Sequence, residues 1–177
     1  KGDFRILLTR DKDNRLLTVS DNGIGMTKED LEPIAKICQE KDIYVISDEI
    51  YSELTYGGQK HCSISSLPGM KDRTIVINGF SKAYAMTGWR LGYALAPEVI
   101  AHQMTKIHQF AIMCAPTTSQ YAAIEAIKNG DADIEKMCKS YDQRRRFLLK
   151  KFEEIGLPCF EPHGAFYVFP CIKEFGI

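Results

Sequence analysis

Residues 78–92 carry one lysine and one arginine, Lys82 and Arg90, among small and apolar residues. A lysine whose ammonium form is disfavoured by apolar neighbours offers a neutral amine, which is a nucleophile suited to imine chemistry. The neighbours expected to desolvate Lys82 in this stretch are Phe80, Tyr84 and Met86. The plainer alternative is a solvated loop lysine, because most lysines lie at protein surfaces.

Two apolar runs flank this stretch and must position it. Residues 74–77 (Thr-Ile-Val-Ile) predict a buried strand that enters it, and residues 91–96 (Leu-Gly-Tyr-Ala-Leu-Ala) predict a strand that leaves it. Lys82 and Arg90 are therefore expected in a connection above strand ends, which is where open α/β sheets bind ligands.

A carboxylate follows another apolar run. Residues 43–46 (Ile-Tyr-Val-Ile) lack alternation, which is typical of a parallel-sheet strand covered on both faces, and the strand is expected to end at Asp48. A carboxylate in that place either caps the turn that follows or pairs with a cationic ligand. Tyr51 comes three residues later.

Residues 79–82 (Gly-Phe-Ser-Lys) and 86–92 (Met-Thr-Gly-Trp-Arg-Leu-Gly) together resemble the cofactor-lysine motif of fold-type I pyridoxal-phosphate aminotransferases of the aspartate aminotransferase class. Residues 46–51 (Ile-Ser-Asp-Glu-Ile-Tyr) match a second segment of that family, at a fitting distance upstream. The signal is specific because it combines a lysine, an arginine eight residues later and glycines at fixed places. The resemblance extends over roughly residues 27–177.

The resemblance implies transfer of an amino group between an amino acid and a 2-oxo acid through pyridoxal 5'-phosphate. Lys82 would hold this cofactor as an imine and then shuttle a proton between the substrate α-carbon and the cofactor. Asp48 would pair with the ring nitrogen, and Tyr51 with the ring hydroxyl. Ser81 and Arg90 would bind the phosphate. No metal is implied.

The same resemblance implies small amino acids and 2-oxo acids as substrates, and a homodimer if the family assembly is kept. The expected location is cytoplasmic. Several family features have no counterpart in the sequence: the upstream phosphate loop, the aromatic residue that stacks on the ring, and the C-terminal arginine for the substrate carboxylate. Ser20 stands where the family has an asparagine, and Gly79 where some relatives have a phosphate-binding serine. We therefore expect a fragment or splice with at most slow half-transamination.

The start of the chain carries a different resemblance. Residues 4–9 and 16–20 predict a β-hairpin, after which Asp21, Gly23 and Gly25 predict a glycine-rich turn. This turn resembles the nucleotide loop of the ninety-kilodalton heat-shock chaperones, so the alternative functions are an ATP-binding module and a non-catalytic chimera. We favour a plain turn before a helix, because the chaperone site also needs a catalytic glutamate, an asparagine that holds magnesium and a lid loop.

Composition excludes several other classes of protein. The 177 residues include 23 Lys and Arg and 23 Asp and Glu, so no net charge favours nucleic acid or an anionic membrane as partner. No apolar stretch is long enough to span a bilayer. The six cysteines are dispersed without a Cys-x-x-Cys pair, which favours reduced cytosolic thiols over a zinc site or a disulfide framework.

The predicted fold class is α/β, with three layers (α/β/α) around a mostly parallel sheet. Residues 1–26 would form the hairpin and glycine turn, residues 27–156 a partial large domain, and residues 157–177 the start of a small α+β domain. A capping box at Thr27 and Asp30 would begin the first helix.

Three further helices are expected over residues 98–113, 117–129 and 132–154. The first would carry Val99, Ile100, Ile107, Phe110 and Ala111 on one helical face. The third would expose its basic run, Arg144, Arg145 and Arg146, on a solvated face.

Two segments are expected to carry no chemistry. Residues 56–72 predict a long surface loop in which His61 and Cys62 point to opposite sides and act as ordinary loop residues. Residues 160–170 alternate as a strand would, and their aromatic side chains are expected in the core.

Overall fold

The computed structural model describes residues 6–11, 16–21 and 26–176. The strands are β1 (Ile6–Asp11), β2 (Leu16–Asp21), β3 (Val45–Asp48), β4 (Thr74–Gly79) and β5 (Gly92–Leu95). The helices are α1 (Lys28–Glu40), α2 (Glu98–Ala111), α3 (Thr117–Asn129) and α4 (Asp131–Glu154). Single turns of 3₁₀ helix lie at Ile64–Ser66, Lys71–Arg73, Thr87–Trp89 and Lys173–Phe175.

Strands β1 and β2 pair antiparallel, with Ile6 opposite Asp21, and form the predicted hairpin. Asp21 is the last residue of β2. The rest of the predicted nucleotide turn, including Gly23 and Gly25, lies outside the described residues.

Helix α1 begins with the predicted capping box. The Thr27 side chain accepts a hydrogen bond from the Asp30 amide, and the Asp30 carboxylate accepts one from the Thr27 amide. Leu31, Ala35 and Cys38 recur at helical spacing and are all buried. This face joins α1 to the core cluster that also covers the start of β3.

The second sheet has the order β3-β4-β5. Strands β3 and β4 are parallel, but β5 runs antiparallel to β4, because a short connection without a crossover helix reverses the chain between them. The sheet is therefore mixed, where the sequence predicted a mostly parallel one. Gly79 and Gly92 face each other across β4 and β5, and a Cβ on Gly79 would lie 2.9 Å from the Gly92 Cα.

One face of β3 is covered and the other is exposed. Val45 packs on the core beside α1, whereas Ile46 is 73% exposed. The prediction that β3 is covered on both faces is therefore wrong for the described residues. An apolar run shows that a strand suits burial, but the covering layer has to come from elsewhere in the chain.

The segment predicted as a surface loop contributes to the core. Ile64, Leu67 and Met70 are buried, and Met70 has no exposed surface. Their spacing of three residues matches the period of the 3₁₀ turns at Ile64–Ser66 and Lys71–Arg73, so all three side chains reach the same cluster as α1. The loop prediction is wrong for this part of the segment.

The later helices have the predicted bounds to within a few residues, and Gly130 lies at the junction of α3 and α4. The apolar face of α2 is exposed within the described residues, where Phe110 is 97% exposed. Arg145 departs from its predicted place on a solvated face, because it is buried on α4. Within the part of the chain that the structure describes, no helix is long and apolar enough to cross a membrane.

The C-terminal segment forms isolated bridges, Thr55 with Gly164 and Cys159 with Pro170, in place of the predicted regular strand. Its aromatic side chains are not core residues, since Phe166, Tyr167 and Phe169 are all exposed by 40% or more. The alternation in the sequence sets which side chains share a face, but two bridges are too few to bury that face.

Candidate functional site

The carboxyl ends of β3 and β4 lie at the same edge of the sheet, because the two strands are parallel. Asp48 ends β3, and Lys82 lies in the turn that follows β4. Tyr51 lies in the turn after β3, and the Lys82 Nζ is 5.8 Å from the centre of its ring. The structure thus brings together side chains from both predicted segments.

The Lys82 side chain is half-buried beside two aromatic rings. Its Nζ lies 5.8 Å from the ring centre of Tyr51 and 5.5 Å from that of Phe166, within range of cation–π attraction. The two rings meet edge to face, with centroids 5.2 Å apart. Phe166 comes from the C-terminal segment, so that segment completes the surroundings of the lysine.

The apolar residues expected to desolvate Lys82 have a different role in the structure. Phe80 and Met86 are buried in a cluster with Ala123 of α3, and Tyr84 packs against the same cluster. These side chains anchor the turn to α3. The expectation is corrected in its detail, since the rings beside the ammonium belong to Tyr51 and Phe166.

Tyr51 shares a hydrogen bond with Tyr167, and the two hydroxyl oxygens are 2.7 Å apart. Partial burial raises the pKa of Tyr51 to about 12, with further contributions from the hydrogen bond to Tyr167 and from the charges that the Tyr167 and Asp48 side chains carry when they are ionised. The Tyr51 hydroxyl therefore keeps its proton across the ordinary pH range.

Asp48 caps the turn that follows β3, because its Oδ1 accepts a hydrogen bond of 3.2 Å from the Ile50 amide. This is the first of the two alternatives considered for the carboxylate. The side chain is exposed, and a carboxylate has further acceptor positions, so this contact leaves capacity for a cationic partner.

Ser81 and Arg90 are less closely assembled with the other candidates. Ser81 is half-buried in the turn next to Lys82. Arg90 is exposed, adopts a left-handed backbone conformation with φ of 53°, and donates from its Nη1 to the Thr87 carbonyl at 3.0 Å. Its guanidinium thus lies against its own 3₁₀ turn.

A cleft of about 640 Å³ opens beside Asp48 and Tyr51. The start of α1, residues 59–62 and residues 163–165 form its other walls. Lys82, Ser81 and Arg90 do not line it. Its size is within the range of pockets that hold small molecules. Among the described residues, no three His, Cys, Asp or Glu side chains gather as metal ligands would.

Sequence reasoning missed a hydrogen-bonded cluster centred on Glu49, whose side chain is buried. Its Oε1 accepts from Ser63 at 2.6 Å and from Ser47 at 3.0 Å, and its Oε2 accepts from His61 Nε2 at 2.8 Å. His61 is therefore not an ordinary loop residue. The sequence signal is a polar residue, Glu49, directly after a strand end, but its partner His61 is twelve residues away.

This cluster predicts a pH-dependent contribution to stability. Burial alone raises the pKa of Glu49, but the hydrogen bonds from His61, Ser63 and Ser47 outweigh it and hold that pKa below its usual value. A carboxyl group whose pKa is lowered by folding stabilises the native state above its unfolded pKa and loses that effect as the pH falls through the folded pKa.

We expect Glu49→Gln to lower the free energy of unfolding by about 1–3 kcal/mol at neutral pH, because an amide cannot accept all three hydrogen bonds. The difference in the free energy of unfolding between the variant and the wild type should become smaller at acidic pH, because the Glu49 carboxylate of the wild type is then protonated. Urea unfolding at several pH values measures this, with the exposed Glu153→Gln on α4 as control. A difference that does not change with pH would contradict the assignment.

Comparison with known proteins gives concordant matches. A family model described as Aminotransferase class I and II matches residues 20–174. The chain is similar to a putative aminotransferase of Bacillus subtilis, YugH, with 50% identity over 99% of this chain and 46% of the relative. It is also similar to an aspartate aminotransferase of Pyrococcus abyssi, with 47% identity over 88% of this chain and 40% of the relative.

A solved structure shows the same fold. The crystal structure of an aromatic aminotransferase from Pyrococcus horikoshii OT3 superposes with a TM-score of 0.84 and 47% identity, over 88% of this chain and 42% of that one. The predicted α/β fold class is confirmed by this match. In each comparison the chain spans less than half the length of the relative.

These matches also concern the interpretation of residues 1–26 as a chaperone-like segment. The similarity to the Bacillus subtilis protein extends over 99% of the chain and therefore includes most of the hairpin segment. The interpretation of this segment as a piece of a chaperone, with Asp21, Gly23 and Gly25 as a nucleotide loop, is left without support.

Proposed function

Because the chain belongs to the class I and II aminotransferase family, we propose that it acts in the transfer of an amino group between an amino acid and a 2-oxo acid, with pyridoxal phosphate as cofactor. The observation that carries the proposal is the position of the Lys82 ammonium beside the rings of Tyr51 and Phe166, at the sheet edge where β3 ends in Asp48.

The donor set fits the chemistry of this cofactor. Pyridoxal phosphate, when bound, supplies an electron sink for negative charge at the substrate α-carbon. Lys82 offers a primary amine that can hold an aldehyde covalently and can also give and take a proton at its Nζ. The Asp48 carboxylate would hold a proton on a ring nitrogen, and the Tyr51 hydroxyl would donate a hydrogen bond to a ring oxygen.

Ser81 and Arg90 are proposed as phosphate ligands. The Ser81 hydroxyl lies one residue before the attachment lysine, and the Arg90 guanidinium has five N–H donors, of which the Thr87 carbonyl engages one at Nη1. A planar guanidinium suits bidentate binding of a phosphate. For this role the Arg90 side chain would exchange its contact with Thr87 for the phosphate oxygens.

The proposed role of Asp48 can be tested with one isosteric variant. We expect Asp48→Asn to slow conversion of bound pyridoxal phosphate to pyridoxamine phosphate by about two orders of magnitude or more, because an amide does not stabilise a protonated ring nitrogen. Chromatography of the cofactor after incubation with a panel of amino acids measures the rate. Asp72→Asn, in an exposed 3₁₀ turn, is the matched control.

Two outcomes would count against the proposal. If the wild-type chain carries the cofactor at Lys82 but none of the amino acids tested converts that cofactor to pyridoxamine phosphate, amino-group transfer is rejected. If Asp48→Asn matches the wild type, the carboxylate is only a cap of the turn, as its contact with Ile50 shows.

The setting of this activity is also a proposal. A cytoplasmic location is supported by the six free cysteines, which suit a reducing compartment. A homodimer is supported by the exposed apolar side chains of α2, such as Phe110, which are suited to a further packing surface. Residues 27–156 would belong to the large domain of the family and residues 157–177 would begin the small one.

A further inference from the structure

We propose that Tyr167 is a positioning residue that holds the Tyr51 hydroxyl in place for cofactor binding. The inference rests on the proposed function, in which Tyr51 donates to the ring oxygen of the cofactor. It assigns a role to a residue of the C-terminal segment that sequence reasoning treated as core. The ligand is a pyridine aldehyde with a ring hydroxyl group, and Tyr167 would act on the oxygen of that group through Tyr51.

Two contacts fix Tyr51 from the C-terminal segment. The hydroxyl oxygens of Tyr51 and Tyr167 are 2.7 Å apart, and their rings meet edge to face with centroids 5.6 Å apart. Phe166 adds a second edge-to-face contact at 5.2 Å. The ring of Tyr51 and its hydroxyl are therefore both held by neighbouring residues of one short segment.

The segment that supplies these contacts is anchored close to Tyr51 by the backbone. The Ala165 amide donates to the Leu54 carbonyl at 2.8 Å, and the Tyr56 amide donates to the His163 carbonyl at 2.9 Å. The Tyr56 hydroxyl also donates to the Ala165 carbonyl. Because this pairing begins only three residues after Tyr51, the contact with Tyr167 is built into the fold and is not a chance meeting of exposed side chains.

The direction of the hydrogen bond between Tyr51 and Tyr167 is fixed once Tyr51 donates to a ligand. A tyrosine hydroxyl has one proton to donate, so if Tyr51 gives it to a ligand oxygen, Tyr167 must be the donor between the two tyrosines. Such a chain of two hydroxyl groups polarises each bond toward the ligand.

The charged and titratable groups around Tyr51 are few in the described residues. Asp48 faces it from the end of β3, Lys82 from the turn after β4, and Tyr167 from the C-terminal segment. Tyr141 of α4 reaches it indirectly, by stacking on Phe166 at 5.5 Å. Without a ligand, burial and the hydrogen bond to Tyr167 are the leading causes that raise the pKa of Tyr51 to about 12.

The first test uses the protein without cofactor. The near-ultraviolet phenolate titration is recorded for the wild type, Tyr51→Phe, Tyr167→Phe and the double variant. Because the two hydroxyl groups share a hydrogen bond, the wild type reports the titration of the pair, and the difference between Tyr167→Phe and the double variant gives Tyr51 alone. We expect the upper pKa of the pair to fall when Tyr167 is replaced, because the hydrogen bond and the charge of Tyr167 no longer oppose ionisation of Tyr51, whereas the burial of Tyr51 remains. An unchanged pKa would overturn the inference, whatever the cofactor does.

The second test measures the dissociation constant of pyridoxal phosphate and the pH dependence of its visible absorption band. We expect Tyr167→Phe to weaken binding about fivefold to tenfold, the effect of one hydrogen bond, and to shift the band's pH dependence in the same direction as Tyr51→Phe. In a Tyr51→Phe background, Tyr167→Phe should have no further effect, because it acts through Tyr51. Tyr121→Phe, exposed on α3, is the control.

The outcomes separate the inference from the proposed function. If the wild type binds the cofactor at Lys82 and Tyr167→Phe binds it equally well with the same pH dependence, the inference fails and the function stands. If the two losses are additive, Tyr167 only supports the local fold and the positioning role is rejected. If the wild type does not bind the cofactor at all, the proposed function fails, and the role of Tyr167 toward the cofactor fails with it.

Discussion

The Lys82→Ala variant is expected to lose covalent attachment of pyridoxal phosphate completely. A neutral primary amine is needed to hold the aldehyde, and Lys82 is the lysine whose Nζ lies beside Tyr51 and Phe166, next to the end of β3. Incubation with the cofactor, reduction with borohydride and peptide mapping would locate the modified residue. In the wild type we expect one modified peptide, which contains residue 82.

Two further variants make this result specific. Lys60→Ala removes an exposed lysine of the nearby cleft and should leave the attachment unchanged. Lys82→Arg keeps a cation beside the two aromatic rings but cannot form the bond, so it separates attachment from packing. Label spread over several surface lysines, or label retained in Lys82→Ala, would refute the assignment of Lys82.

The central residues of this site could be predicted because each lies close in sequence to a recognisable strand end. Asp48 follows one apolar run and Lys82 follows another, and parallel pairing of the two strands is enough to bring their carboxyl ends together. Sequence alone therefore identified the edge of the sheet. The roles of Lys82 and of the other candidates toward a cofactor stay predictions; these others are Asp48, Tyr51, Ser81 and Arg90.

The partners of these residues could not be predicted, because they come from distant parts of the chain. Tyr167 is 116 residues from Tyr51, and its segment is placed beside the site by backbone bonds to residues 54–56 and by the contacts of Arg145. Likewise, His61 bonds to Glu49 across twelve residues of the chain. Such contacts depend on tertiary packing, which leaves no local signature in residue type or spacing.

Periodicity in the sequence predicted the bounds of the helices better than it predicted which of their side chains are buried. It placed α3 and α4 almost as the structure has them, but it did not show that the apolar face of α2, which carries Phe110, is exposed. An apolar period shows which side chains share a face of a helix. It does not show whether another element covers that face, and for charged residues it missed a buried member of a basic run, Arg145.

Arg145 links α4 to the segment that carries Tyr167, and its side chain is only 7% exposed. It donates to Asp142 of the same helix at 2.8 Å, to Glu161 at 2.7 Å and to the Pro162 carbonyl at 3.2 Å. Its guanidinium also lies 5.5 Å from the ring centre of Tyr56. These contacts hold the start of the C-terminal segment against α4, just before the residues that surround Lys82.

We expect Arg145→Ala to lower the free energy of unfolding by about 2–3 kcal/mol, because it removes a buried guanidinium that donates hydrogen bonds to two carboxylates and to the Pro162 carbonyl. Urea unfolding followed by circular dichroism would measure the loss. Arg144→Ala is the matched control: Arg144 is exposed and contacts the Tyr141 ring at 5.7 Å, so its loss should cost about 1 kcal/mol or less. Equal effects of the two substitutions would show that Arg145 does not anchor the segment. If the anchor is real, Arg145→Ala should also weaken cofactor binding under conditions where the protein remains folded, since Phe166 and Tyr167 would no longer be held beside Tyr51 and Lys82.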